Sequence, residues 1–63
     1  MTGRQLRNAR KKAGWTQVRA AGAVAVTPRT WARWEHGDRP VPEWAVKLFR
    51  YELAAAGGRK KAS

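Results

Sequence analysis

Arg29 and Arg33 stand one helical turn apart in the stretch Thr27–Gly37, TPRTWARWEHG. An arginine guanidinium is a planar fork that pairs bidentately with O6 and N7 of guanine, at about 1–3 kcal/mol of discrimination per good pair. At about 100° per residue, Arg29, Ala32, Arg33 and His36 fall on one side of a helix and Trp31, Trp34 and Glu35 on the other. Burying the indoles therefore aims the guanidinium groups at solvent, where a major groove can meet them. Arg39, in the loop beyond, suits a phosphate clamp. Tryptophans also stack on single-stranded bases, but the spacing of Trp31 and Trp34 assigns them to a core.

Catalytic chemistry is poorly supplied. One histidine, no cysteine and the four acids Glu35, Asp38, Glu43 and Glu52 provide neither a metal cluster nor a nucleophile with its base. No GxxxxGK[ST] phosphate loop is present. The expectation is a non-enzyme without cofactor or metal.

The elements that position the arginines follow from cap and stop residues. Thr27 caps the reading helix and Pro28 fits its first position, where a missing N–H is no loss. Thr16 caps the helix before it, and Ala20, Ala21 and Val24 are its inward positions. The turn between them offers no glycine, so Ala25 is expected at positive φ, while Gly22 sits inside the helix at a cost of about 1 kcal/mol. Thr2 and Gln5 form a capping-box pattern opening a first helix that runs to about Ala13, with Gly14 as its left-handed stop and Leu6 on its apolar stripe. Arg4, Arg7, Lys11 and Lys12 around that stripe read as a solvated face.

Gly37 ends the reading helix, and the proline-stiffened loop DRPVP leads to a fourth helix from Pro42 and Glu43 to about Ala56. Gly57 and Gly58 then stop it, leaving 57–63 as a short basic disordered tail. This fourth helix is apolar over more than half its circumference, which exceeds what packing on one side requires. Trp44, Phe49, Tyr51 and Leu53 are accordingly expected at an isologous dimer contact. The expected core is Leu6, Ala21, Val24, Val26, Trp31, Trp34 and Leu48.

Composition bounds the partners. Fourteen Lys and Arg against four acids give a net charge of +10 over 63 residues, which attracts polyanions without choosing among them. A chain this short buries little surface alone, so a partner copy is expected. No apolar run approaches the roughly 20 residues of a membrane span, and no secretion signal opens the chain, so a cytoplasmic protein is expected.

Over Leu6–Leu53 the chain resembles the Cro and phage-repressor (XRE-type) helix-turn-helix family. The resemblance is carried by LRNARKKAG-W-TQ, Ala20–Ala21, Val26–Thr27, W-x-x-W-E-x-G at Trp31–Gly37, and RPVP. The RPVP loop with its apolar helix is also similar to that of small phage autoregulators, including anti-CRISPR-associated repressors. What the resemblance implies is an all-α, compact domain of four helices, or five, spanning residues 1–56. It implies base contacts by Pro28, Arg29, Ala32 and Arg33, and phosphate contacts by Gln17 and Thr27; Thr30, His36 and Arg39, on and just beyond the same helix, are expected at phosphates as well. It also implies a structural salt bridge between Arg10 and Glu35. The function it implies is a sequence-specific repressor or autoregulator of a phage or other mobile element, bound as a homodimer to an inverted-repeat operator on double-stranded DNA, at the nucleoid of a bacterial or phage-infected cell. The alternatives are an antitoxin-type regulator that also binds a toxin, and a basic protein that binds RNA or a membrane surface without sequence preference.

Overall fold

The computed structural model describes the backbone of residues 1–62 and the side chains of residues 1–56. Four helices follow one another: α1 (Gly3–Lys12), α2 (Gln17–Ala23), α3 (Pro28–His36) and α4 (Glu43–Ala62). The described residues contain no strand, so the chain is all-α, as its periodicities require.

Each of the first three helices begins where a threonine hydroxyl takes an orphan N–H. Thr2 accepts from the Gln5 N–H at 3.1 Å while Gln5 Oε1 accepts from the Thr2 N–H at 2.9 Å, a complete capping box. Thr16 accepts from the Arg19 N–H at 3.1 Å and Thr27 from the Thr30 N–H at 3.2 Å, with Pro28 in the first turn of α3.

The same three helices also share one ending, a residue in the left-handed region flanked by a long and a short backbone hydrogen bond. At α1 the residue is Gly14, φ 75°, with Trp15 N–H to Arg10 C=O at 3.1 Å and Gly14 N–H to Lys11 C=O at 3.0 Å. At α3 it is Gly37, φ 89°, with Asp38 N–H to Arg33 C=O at 3.0 Å and Gly37 N–H to Trp34 C=O at 3.3 Å. At α2 it is Ala25, φ 59°, with Val26 N–H to Ala21 C=O at 2.9 Å and Ala25 N–H to Gly22 C=O at 3.2 Å. The turn between α2 and α3 thus uses the glycine geometry without the glycine.

The core is built around Trp31. Its ring meets Phe49 of α4 at 5.0 Å between centroids and Trp34 at 5.9 Å, while Trp15 meets the other side of Phe49 at 6.0 Å. Leu6, Ala20, Ala21, Val24 and Ala45 complete the buried set. Small residues on α2 let α3 approach closely, and a glycine does the same for α1. A Cβ on Gly3 would lie 2.7 Å from the Glu35 carbonyl oxygen and closer still to that of Trp34, so α1 rests directly on the last turn of α3.

Three expectations are corrected here. Phe49 is fully buried between Trp15 and Trp31 and is not available to a second copy. Leu53, one turn further along the same side of α4, packs against this core rather than on the face that carries Trp44 and Tyr51. Val26 and Leu48 are half-buried against the core and do not lie within it. For Leu48, Phe49 and Leu53 the cause is common: α4 is apolar over more than half its circumference, so its periodicity fits several rotations, and the ring of Phe49 selects one by meeting two indoles. Val26 lies instead in the turn before α3, next to Ala25.

The end of α4 also differs. The helix continues past Gly57 and Gly58 to Ala62, because two glycines weaken a helix by about 2 kcal/mol but terminate it only where a turn or proline takes over. The side chains of the basic tail, expected to be disordered over 57–63, lie outside the described residues. Among the described residues no helix is long and apolar enough to cross a membrane.

Candidate nucleic-acid interface

The outward face of α3 is set by what its inward face does. Trp31 is wholly buried and Trp34 nearly so, which leaves Arg29 and Arg33 exposed on the opposite side. A shallow depression of about 290 Å³ lies there, lined by Arg29, Ala32, Arg33, His36 and Asp38. Neither arginine is in an ion pair with an acid of the described residues. Their forks are therefore uncommitted, and the half-buried Ala32 between them leaves room for a base edge to approach.

The other expected contacts surround this face unequally. Pro28 and Thr27 are exposed at the N-terminus of α3, and the Thr27 hydroxyl lies 3.0 Å from that of the half-buried Thr30, so the two hydroxyls already satisfy one another in part. Arg39 is exposed and shares a depression of about 340 Å³ with Thr30, Arg33, Trp34, Pro40 and Pro42, which brings it beside the reading helix. His36 is exposed, with its Nδ1 3.5 Å from Asp38 Oδ1, so an acid stands next to this expected phosphate contact.

Gln17 has a role that spacing did not reveal. Its amide Nε2 donates to Glu35 Oε1 at 3.1 Å, which commits one of its two N–H donors to the protein and leaves one for a phosphate. Only the spatial approach of the start of α2 to the end of α3 creates this contact.

Glu35 is the joint of the whole arrangement. Arg10 Nε donates to its Oε2 at 2.5 Å and Arg10 Nη2 to its Oε1 at 3.2 Å, while Arg10 Nη1 donates to the Trp15 carbonyl at 2.8 Å. The indole N–H of Trp31 donates to the same Oε2. Three helices thus meet at one carboxylate, and Arg10 ties the α1–α2 connection to the same cluster. Burial pushes the Glu35 carboxyl up, but the hydrogen bonds from Arg10, Trp31 and Gln17, together with the Arg10 charge, outweigh it and hold the pKa below its ordinary value. The group stays ionised, and the reading helix stays at a fixed angle to α1 and α2.

Dimer expectations divide between the two sides of α4. Trp44 is 54% exposed and Tyr51 68% exposed, two turns apart on one face, with Leu48 half-buried between them. Trp44 also packs edge-on against Trp34, ring centroids 6.2 Å apart, which orients its indole without covering it. Among the described residues no group of three or more His, Cys, Asp or Glu side chains is placed to hold a metal ion.

No curated protein and no solved structure matches the chain. A family model described as a helix-turn-helix domain matches residues 2–51, a span that takes in α1, α2, α3 and the first half of α4. With the capped α2 and α3, the tight turn at Ala25 and the exposed arginines of α3 in their places, the chain belongs to the helix-turn-helix domain family, of the XRE/Cro-type kind that its motifs resemble.

Proposed function

We propose that this protein is a sequence-specific double-stranded DNA-binding repressor, bound as a homodimer to an inverted-repeat operator and regulating its own operon. The helix-turn-helix domain supports DNA as the partner and a regulatory role. The observation that carries the finer reading is the pairing on α3 of buried Trp31 and Trp34 with exposed Arg29 and Arg33, which are in no ion pair among the described residues. A helix whose rotation is fixed by two indoles presents its guanidinium groups in one direction, which base readout needs and non-specific attraction does not.

The homodimer reading rests on the exposed Trp44–Leu48–Tyr51 face. A symmetric contact there sets two copies of α3 against successive major grooves about 34 Å apart. Repression follows from occluding the promoter, and the cytoplasm is the compartment this implies. Selection of bound sites from a random duplex pool tests the proposal. An enriched inverted repeat supports both sequence readout and two-fold symmetry; a pool that stays random after repeated rounds contradicts it.

A further inference from the structure

We infer that Arg7 holds a backbone phosphate of bound duplex at the mouth of the cleft between α1 and α3, beside the reading helix. The inference rests on the duplex-binding reading above and adds to it a residue from α1, whose basic face reads by sequence as merely solvated.

The contact at Gly3 brings α1 against the last turn of α3, and Arg7 follows Gly3 by about one turn on the same side of α1. A cleft of about 450 Å³ opens there, lined by Arg7, Arg10, Gln17, Ala32, Glu35 and His36. Glu35 is its only acid, and both carboxylate oxygens are taken by Arg10, Gln17 and Trp31. What the cleft still offers a ligand is donors: the exposed Arg7 guanidinium, in no ion pair among the described residues, and the second amide N–H of Gln17. Ala32 and His36 line both this cleft and the depression that holds Arg29 and Arg33. An anion seated in the cleft is therefore the immediate neighbour of a base-reading face, which is where the phosphates bordering a groove lie.

A contact of this kind has a signature distinct from base readout. Each neutralised phosphate contributes about 0.9 to the slope of log K against log salt on B-form DNA, without sequence preference. The test compares Arg7→Gln with Lys12→Gln, the same loss of charge from the same helix but on another side, where Lys12 lines a groove with Trp15 and Leu53. Binding of both variants and the wild type to the selected operator and to a scrambled duplex is measured across a salt series, with melting curves to confirm the fold.

The expected result is a slope lower by about 0.9 for Arg7→Gln, equal proportional loss on both duplexes, and an unchanged slope for Lys12→Gln. Arg7→Lys should restore most of the slope. If Arg7→Gln leaves the slope unchanged, or Lys12→Gln lowers it as much, the inference is wrong while the duplex-binding reading stands. If the wild type binds no duplex, both fall together.

Discussion

Arg10 closes the Nε–Nη2 edge of its fork on one carboxylate, that of Glu35, with 2.5 Å from Nε to Oε2 and 3.2 Å from Nη2 to Oε1. Their side chains are 10% and 5% exposed, so this is a desolvated pair and not a surface bridge. Removing one member of such a pair costs about 3–5 kcal/mol, because the survivor is left charged and alone. The whole stability expected of 63 residues is only about 3–9 kcal/mol. Glu35→Ala and Arg10→Ala should therefore each remove a large share of the chain's stability, moving the urea midpoint far to lower concentration, as read by far-ultraviolet circular dichroism.

The same carboxylate makes stability fall in acid. Its pKa is lower folded than unfolded, so its contribution is complete above the unfolded value of about 4.3 and is lost as pH falls through the lower folded value. Urea midpoints measured between pH 7 and pH 2 should hold steady to about pH 5 and then decline. A wild-type midpoint that rises as pH is lowered below 4 would contradict the assignment of Glu35 as the ionised joint.

Gly22 and Ala25 are each in the other's preferred environment. A Cβ at Gly22 meets nothing within 4 Å, and Ala25 holds φ 59° at the position where Gly14 and Gly37 serve the neighbouring helices. Gly22→Ala should stabilise by about 0.5–1 kcal/mol and Ala25→Gly by about 1–2 kcal/mol. At about 4–8 °C per kcal/mol for a domain of this size, thermal melting resolves each substitution.

The Trp44–Leu48–Tyr51 face should govern self-association and leave the fold intact. Two chains of net charge +10 repel, so the dimer is expected to tighten with salt in free solution and with duplex when phosphates neutralise the charge. The double variant Trp44→Ala, Tyr51→Ala should sediment as a monomer at concentrations where the wild type pairs, still folded but melting several degrees lower because the Trp44–Trp34 contact, about 0.5–1.5 kcal/mol, is lost with it. Equal sedimentation of the two proteins would place any dimer contact elsewhere.

What could be read without coordinates was whatever a cap, a stop or a period decides locally. The threonine caps, the glycine stops at Gly14 and Gly37, the positive φ of Ala25 and the inward Trp31 and Trp34 all follow from residues within a turn or two. The pairing of Arg10 with Glu35, 25 residues apart, came through family resemblance and not through local pattern. The rotation of α4 was not legible, since Trp44, Ala45, Leu48, Phe49 and Tyr51 are all apolar and the choice between faces belongs to Trp15 and Trp31, on other helices and connections. Gly3 was equally silent: as the first residue of α1 it reads as unremarkable sequence, and only the carbonyls of Trp34 and Glu35 explain why no side chain fits.

The central claim is that Arg29 and Arg33 read bases from a helix whose rotation Trp31 and Trp34 fix. Equilibrium binding of the wild type, Arg29→Ala and Arg33→Ala to a panel of single-base operator variants tests it most directly. The account predicts that each alanine variant loses about 1–3 kcal/mol of discrimination at its own G·C pair and keeps its preference at the others. Undiminished preference at every position in both variants would contradict it.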